Sequence, residues 1–362
     1  MLPHKEIFRN LEVKKTILVE DGKINLKVIS IQENIFITEV QNEGIIESNK
    51  GINLPDINLE TSPLTKKDLL DLEFALRKKI DYVALSFVQR ASNVIEAQAI
   101  IKDRAFIISK IEKPQALNDI DSIIQLSDAI MIARGDLGVE MPPQDLPAIQ
   151  KSIINKCRTV GKPVIIATQM LESMISKPSS TRAEASDVAG AVFDGADAIM
   201  LSGETAMGKY PLEATKIMVS IAKSAESYII DNPNDGPGKL KVEPSIYHAV
   251  AESTVRLAEK IEASAIIAFT ASGNTAIRIA RERPYKPILV FTPYLSVERR
   301  LSLVWGVKTI NQSEKKYEKA VDDAIKKIIY LKISNKGDNI VLVSGMPFGL
   351  EGSTNAIRVI KL

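Results

Sequence analysis

The sequence predicts an α/β protein in three consecutive parts: a short β unit, a series of alternating strands and helices, and a second such series. Five short apolar runs between Tyr82 and Glu204 each end in a polar cluster. The segments between these runs carry apolar residues at helical spacing. A proline-, glycine- and asparagine-rich stretch at 231–239 then separates the two strand–helix series, as a linker would.

Residues 1–58 are predicted to form a small β domain. Asp21 and Gly22 lie between two strand-like segments, as a hairpin requires. The runs NIFITEVQ and GIIESNKGI continue the strand pattern. A helix with a capped start is expected from about Ser62, in SPLTKKDLLDLEFALRKKI.

Residues 59–230 are predicted to form the catalytic domain. The five apolar runs are YVALSFV, FIISKIE, AIMIARGD, VIIATQM and AIMLSGE. They are too short to span a membrane and too continuous for half-exposed strands, so they indicate parallel strands buried on both faces. Polar side chains then gather at the carboxyl ends of the strands, where chemistry in such folds takes place.

Residues 231–362 are predicted to form a separate C-terminal α/β domain with an open sheet. Three strands are expected, in AIIAFT, PILVFTP and NIVLVSG. They alternate with helical segments, among them SIYHAVAESTVRLAEKI and KKYEKAVDDAIKKIIY.

Composition excludes several classes of function. With 47 Lys and Arg against 45 Asp and Glu, the net charge of +2 argues against a nucleic-acid surface. No apolar run could span a bilayer and no signal core opens the chain, so we expect a cytoplasmic protein. Two histidines, His4 and His248, are too few for a histidine-based zinc site or a Ser-His-Asp triad. The one cysteine, Cys157, is predicted to be a buried or partly buried, non-catalytic thiol in a reducing compartment.

The strand ends supply candidate catalytic residues. Lys110 and Glu112 are two residues apart, so their side chains should point to the same side of the strand. The next strand ends in Gly135 and Asp136, which offer close backbone approach and a second carboxylate. Two carboxylates without a histidine favour Mg²⁺, and Lys110 would face an anionic oxygen. A structural ion pair between Lys110 and Glu112 is the alternative.

Hydroxyl and backbone groups form a second set of candidates. Hydroxyls at the other strand ends could orient a carboxylate or phosphate, or merely cap the following helices; they belong to Ser86, Thr168 and Ser202, the last close to Glu204. In the C-terminal domain a strand-to-helix loop is suited to holding a phosphate, or is an ordinary helix start; it contains Thr270, Ser272, Gly273, Asn274 and Thr275. The loop from Gly345 to Thr354 could complete this pocket.

Nearly the whole chain resembles the pyruvate kinase family. The resemblance rests on SFVQRASNV, IISKIEKPQAL, IMIARGDLGVE, ATQMLESMISKPSSTRAEASDVA and DGADAIMLSGETAMGKYPLEA, and on NKGINLPD, LVWGV and GSTNAIRV outside them. It implies an eight-stranded TIM (β/α)₈ barrel beside the two smaller domains, and phosphate transfer from phosphoenolpyruvate to ADP in glycolysis. It also implies Mg²⁺ or Mn²⁺ and K⁺ as cofactors, a possible phosphorylated effector and a homotetramer.

The resemblance implies a role for each matching residue. Lys110 stabilises developing negative charge, and Glu112 and Asp136 bind the metal. Gly135 and Asp136 receive the substrate carboxylate with Thr168, and Ser202 and Glu204 belong to a proton-delivery network. Lys50 lies near the nucleotide phosphates.

The resemblance also implies an incomplete barrel. Five barrel strands are found where the family has eight. About a hundred residues of the family, roughly three strand–helix units and half of the small β domain, have no counterpart. They include the phosphate-contacting arginine and the K⁺ ligands. We therefore expect an N-terminally truncated chain with unpaired strand edges and little activity alone.

Two other functions stay open at this stage. One is an Mg²⁺-dependent aldolase or lyase of phosphoenolpyruvate or pyruvate, which carbon–carbon cleavage without nucleotide would identify. The other is a non-catalytic, effector-binding subunit, which native mass and phosphate-ligand thermal shifts would test.

Overall fold

A computed structural model describes residues 11–20, 22–32, 35–48, 50–55, 64–240, 242, 244–349 and 354–362. The strands are β1 Thr16–Val19, β2 Ile24–Gln32, β3 Ile35–Val40, β4 Ile52–Asn53, β5 Tyr82–Leu85, β6 Phe106–Ile111, β7 Ala129–Ala133, β8 Val164–Ala167, β9 Ala198–Ile199, β10 Ala265–Phe269, β11 Ile288–Thr292, β12 Val307–Asn311, β13 Asn339–Gly345 and β14 Thr354–Lys361. The α-helices are α1 Lys66–Arg77, α2 Ala91–Ile101, α3 Ile120–Leu126, α4 Arg134–Glu140, α5 Leu146–Val160, α6 Arg182–Asp194, α7 Gly203–Ala206, α8 Pro211–Asp231, α9 Ile246–Lys260, α10 Asn274–Arg281, α11 Leu295–Arg300 and α12 Tyr317–Tyr330. Short 3₁₀ helices cover Pro114–Asp119, Glu172–Ile175, Pro233–Asp235 and Leu301–Leu303.

The chain divides into two compact units. The first contains Met1–Ile153, Ile165–Glu184 and Met200–Lys216, and the second contains Ile154–Val164, Ala185–Ile199 and Ile217–Leu362. This division groups the β unit with most of the strand–helix series. The three domains predicted from sequence stay a prediction.

The β unit is a four-stranded antiparallel sheet in the order β3-β2-β1-β4. The predicted hairpin joins β1 to β2, and Gly22 has the φ of +82° that such a turn needs. The prediction of a strand in GIIES was wrong, because residues 44–48 form none. Ile45 and Ile46 are 82% and 59% exposed, so their apolar side chains pack against no core that would hold a strand.

A capping box formed by Thr65 and Asp68 sets the start of helix α1. Thr65 is the N-cap: its hydroxyl accepts the Asp68 N–H at 3.2 Å, and the Asp68 carboxylate accepts the Thr65 N–H at 2.8 Å. This reciprocal pair is the capping box. The predicted helix is confirmed with Thr65 as its cap, whereas Ser62 lies outside the described residues.

The strand–helix series forms a five-stranded sheet in the order β5-β6-β7-β8-β9. Strands β5, β6 and β7 pair in parallel, with Leu85 opposite Ser109 and Ile111 opposite Ile132. Every residue of β7 and β8 is buried. The predicted parallel sheet is confirmed, and it brings the carboxyl ends of neighbouring strands to one edge. The prediction that all five runs are buried on both faces was wrong for β5 and β9, which lie at the two ends of the strand order and are only partly buried.

The C-terminal sheet has five strands in the order β12-β11-β10-β13-β14, all parallel except β14. Apolar clusters pack on both faces of its fully buried central strands. The prediction of three strands was incomplete, because β12 and β14 lie at the sheet edges. Their partly exposed, mixed sequences lack the continuous apolar run of a central strand.

Within the part of the chain that the structure describes, every helix is too short or too polar to span a lipid bilayer.

Candidate active site

Lys110 and Glu112 form an ion pair at the carboxyl end of β6. The Lys110 ammonium lies 2.6 Å from one Glu112 oxygen, and the other oxygen accepts the Phe87 N–H at 2.7 Å. Lys110 also donates to the Ser86 hydroxyl at the end of β5, at 3.0 Å. The Glu112 side chain is only 2% exposed and that of Lys110 is 25% exposed. The ammonium is therefore held by two neighbouring strand ends and remains partly accessible to a ligand.

Gly135 and Thr168 bring the ends of β7 and β8 into contact. The Gly135 N–H donates to the Thr168 hydroxyl at 2.6 Å, and that hydroxyl lies 2.6 Å from the Ala167 carbonyl, to which it donates. Thr168 and Gln169 both have left-handed backbone, with φ of +66° and +55°. A side chain at position 135 would place its Cβ 3.2 Å from the Thr168 hydroxyl oxygen, so this close approach favours glycine.

Arg134 holds the loop that contains Thr168 and was not identified from the sequence. Its side chain is buried, and one guanidinium nitrogen donates to the Thr168 carbonyl at 3.1 Å. The sequence feature that indicates such a role is a charged residue directly after the apolar strand AIMIA. Such a residue is tolerated in a buried position only with internal hydrogen-bond partners.

The two predicted metal ligands follow adjacent strands. Glu112 comes directly after β6, and the half-buried Asp136 lies in the first turn of α4, after β7. No group of three or more His, Cys, Asp or Glu side chains among the described residues could enclose a metal. Two carboxylates nevertheless fit Mg²⁺ or Mn²⁺, because such ions commonly take one or two protein oxygens and leave positions for water and substrate phosphate. Each Glu112 oxygen keeps a second lone pair beyond the bond it makes.

Glu204 joins two loops. Its side chain is buried, and its two oxygens accept the backbone N–H groups of Leu171 at 3.1 Å and Ser202 at 2.8 Å. It thereby links the segment after β9 to the segment after β8. Ser202 enters this arrangement through its backbone.

Lys50 lies in the β unit between two carboxylates. Its ammonium is 3.1 Å from Glu20 and 3.1 Å from Glu47. The hydrogen bond to Glu47, followed by that to Glu20, raises the pKa of Lys50 above its ordinary value. The ammonium is therefore charged at neutral pH.

A third buried carboxylate, Glu140, was not identified from the sequence. It pairs with Lys113, and the same oxygen accepts the Asn53 side-chain amide at 3.1 Å. Lys113 follows directly after the strand end that carries Glu112, and Asn53 lies in β4. This contact joins residues far apart in the sequence, and no local pattern predicts it.

Two protein-family models match the chain. The model described as "Pyruvate kinase, barrel domain" covers residues 1–215, and that described as "Pyruvate kinase, alpha/beta domain" covers residues 248–360. The chain belongs to the pyruvate kinase family. The chain is accordingly of the phosphotransferase class, which confirms the family that the sequence resemblance implies.

Curated pyruvate kinases and a crystal structure agree with this assignment. Two pyruvate kinases of Agrobacterium vitis are 48% and 46% identical, over 100% and 99% of this chain and 75% and 76% of their own lengths. A pyruvate kinase crystal structure from Cryptosporidium parvum is 34% identical with a TM-score of 0.89, covering 99% of this chain and 74% of that one. The chain thus spans about three quarters of the length of these pyruvate kinases.

At the C-terminal sheet, the predicted phosphate loop lines a cavity of about 560 Å³. Helix α10 follows Gly273, whose φ is +87°, and the Gly273 N–H donates to the Thr270 hydroxyl at 2.9 Å. The loop from Gly345 to Thr354 contributes both of these residues to the lining of the same cavity. The Thr354 hydroxyl oxygen lies 2.6 Å from the Thr275 hydroxyl oxygen. The cavity lining includes Thr270, Ser272, Asn274, Thr275, Arg278, Lys315, Gly345 and Thr354.

Proposed function

We propose that the strand-end site transfers the phosphoryl group of phosphoenolpyruvate to ADP. The observation that carries this proposal is the placement of Lys110, which bridges a buried carboxylate and the Ser86 hydroxyl yet stays partly accessible. Phosphoryl transfer needs little covalent help from a protein and much positioning of charge.

Lys110 has the role of a fixed cation. Negative charge grows on the transferring phosphoryl group and on the enolate oxygen as the phosphorus–oxygen bond breaks. A positive charge already held in place by Glu112 and Ser86 stabilises this charge without reorganising. The buried ion pair, open as a structural alternative from sequence, thus also serves to orient the catalytic ammonium.

The substrate carboxylate is proposed to bind at Gly135, Asp136 and Thr168. The Gly135 N–H and the Thr168 hydroxyl bond to each other in this structure. Both are donors that a carboxylate can accept from, and a charged acceptor makes stronger bonds than the neutral partner it replaces.

The divalent cation is proposed to bind to Glu112 and Asp136. A bound Mg²⁺ or Mn²⁺ would neutralise charge on phosphate and enolate oxygens. The protein contributes two fixed carboxylates, of which Glu112 is oriented by the Phe87 N–H and Lys110.

The other predicted residues are assigned by their contacts. We propose that Glu204 positions the Thr168 loop through the Leu171 N–H and the Ser202 segment through the Ser202 N–H. From the sequence resemblance, we propose that the Ser202 hydroxyl serves proton delivery to the enolate. Lys50 is proposed to contact the nucleotide phosphates, by exchanging one of its two carboxylate partners for a phosphate oxygen.

Substitution of Lys110 tests this function. With phosphoenolpyruvate, ADP, Mg²⁺ and K⁺, we expect ADP-dependent pyruvate formation by the wild type, at the low level that the sequence predicts for this chain alone, and a kcat at least about 10²-fold lower for Lys110→Met. Lys66→Met is the matched control, because Lys66 is exposed at the start of α1. Equal rates for wild type and Lys110→Met would contradict the proposal, and carbon–carbon cleavage without nucleotide would favour a lyase.

We further propose that the C-terminal cavity binds a phosphorylated effector. The loop hydroxyls and the basic side chains Arg278 and Lys315 surround enough space for a sugar phosphate. A sugar bisphosphate should raise Tm by about 2 °C or more at saturation. Ser272→Glu should abolish that rise by repelling phosphate, whereas Ser224→Glu on the exposed face of α8 should keep it.

A further inference from the structure

Three arginines are buried together in the second compact unit, away from both sites described above. This arginine cluster consists of Arg158 in α5, Arg281 at the end of α10 and Arg283 two residues later. Arg158 and Arg281 are each 4% exposed, and the side chain of Arg283 is 8% exposed. Guanidinium groups always carry a positive charge at neutral pH, so burying them requires compensation.

Two of the three arginines have a carboxylate partner. Arg281 donates to Glu282 at 3.0 and 3.1 Å. Arg283 lies 3.2 Å from Asp197 and donates to the Gly195 and Ala280 carbonyls at 2.7 and 2.8 Å. Glu282 and Asp197 are therefore the two carboxylates that pair with the arginine cluster, the first with Arg281 and the second with Arg283.

Arg158 makes no ion pair with any described residue. Its guanidinium reaches only the carbonyls of Gly238 at 3.4 Å and Arg281 at 3.3 Å. Burial, and then the charge of Arg283, lower the pKa of Arg158 to about 10. The cluster therefore buries one more positive charge than its carboxylates neutralise.

Arg158 and Arg283, which carry unsatisfied donors, line one small cavity. The Nε atoms of Arg158 and Arg283 are both buried without an acceptor among the described atoms. Both residues line a cavity of about 10 Å³, together with Lys162, Asp197 and Arg281. A cavity of roughly this volume admits one water-sized particle.

We propose that this cavity binds a single monovalent inorganic anion, chloride under physiological conditions, between Arg158 and Arg283. A water molecule would accept from both Nε donors but would leave the excess positive charge uncompensated. A halide accepts from both donors and neutralises the charge. A halide is a single atom only somewhat larger than a water molecule, so it needs the smallest adjustment of the cavity lining, whereas phosphate, sulfate and carboxylate ligands need space for several heavy atoms.

The fluorescence of Trp305 can report on anion binding, because this residue lies beside Arg283. Arg283 lies over the ring of Trp305, with its guanidinium carbon 5.1 Å from the ring centroid. The Trp305 backbone N–H donates to Asp197 at 3.2 Å, and the indole N–H donates to Glu226 at 3.1 Å. Trp305 is the sole tryptophan of the sequence. Anion binding beside Arg283 should therefore change the emission of this one fluorophore.

A chloride titration against gluconate at constant ionic strength tests the proposal. We expect a saturable change in Trp305 emission and a Tm higher by about 2 °C or more in chloride. Arg158→Met should lose both responses, whereas Arg256→Met should keep them because Arg256 is exposed on α9. A wild-type response that is absent, or only linear as in collisional quenching, would overturn the proposal.

A bromide experiment on the unmodified protein gives a test that does not require the variant to fold. Crystals grown or soaked in bromide should show an anomalous peak in contact with the Arg158 and Arg283 guanidinium groups. A peak-free cavity, or one holding only water in the presence of bromide, would contradict anion binding.

Discussion

At the residue scale, Thr168 holds the proposed carboxylate site together. Its hydroxyl satisfies the Gly135 N–H, and the left-handed backbone at positions 168 and 169 puts it there. We expect Thr168→Ala to lower kcat/KM by about 10-fold or more and stability by about 1–3 kcal/mol, because the Gly135 N–H loses its acceptor. Initial rates with varied phosphoenolpyruvate and urea unfolding measure the two effects.

The conservative variant separates the hydroxyl from the rest of the side chain. Thr168→Ser keeps the oxygen that accepts from Gly135, so it should retain most of the activity and stability. If Thr168→Ser is as impaired as Thr168→Ala, the methyl group matters rather than the hydroxyl, and the assigned role of Thr168 is wrong.

At the scale of elements, the capping box sets the start of α1. Thr65→Ala should destabilise the protein by about 1 kcal/mol at neutral pH, and Thr65→Asn, which can still cap, should cost less. The Thr65 side chain, and then its N–H, lower the pKa of the Asp68 carboxyl below its ordinary value of 3.8. A lowered acid pKa stabilises the folded state above 3.8, and this contribution disappears as pH falls through the lower folded value.

Urea unfolding of wild type and Thr65→Ala at pH 7 and near pH 3 measures this effect. The difference between the two proteins should shrink at the lower pH, because the contribution of the Asp68 carboxylate decreases below pH 3.8 as the pH approaches its lowered pKa in the folded state. A difference that does not change with pH would show that Asp68 takes no part in the cap.

Elements were predictable from sequence where one local signal determines them. Continuous apolar runs predicted the strands β5 to β9, of which β6, β7 and β8 are largely buried. The segment from about Ser62 predicted a capped helix start, which the structure places at Thr65. The edge strands β12 and β14 have mixed sequences, and their pairing depends on neighbours distant in the chain. The candidate site also contains both locally predictable and tertiary contacts. The two-residue spacing of Lys110 and Glu112 predicted that their side chains lie together. The contacts of Glu140 with Asn53 and of Arg134 with Thr168 join residues distant in the chain, so no local pattern predicts them.

At the scale of the whole molecule, Cys157 and Trp305 both report on the second compact unit. Cys157 is fully buried, as the sequence predicted, and burial, followed by the charge of Asp197, raises the pKa of its thiol. A buried, protonated thiol reacts only when the structure around it opens. Because Cys157 is the one cysteine in the sequence, its labelling by a disulfide reagent measures the opening of the structure around this residue alone.

We expect Cys157 in native buffer at pH 8 to be labelled at least about 10³-fold more slowly than in the urea-unfolded chain. As urea is raised, equilibrium labelling should increase over the same range in which Trp305 emission changes, because both residues belong to one unit. Cys157→Ser supplies the reagent blank. Rapid labelling in native buffer would contradict the burial of the thiol. Labelling that is complete at urea concentrations where Trp305 emission is still native would show that α5 opens independently, so that Cys157 and Trp305 do not share one cooperative unit.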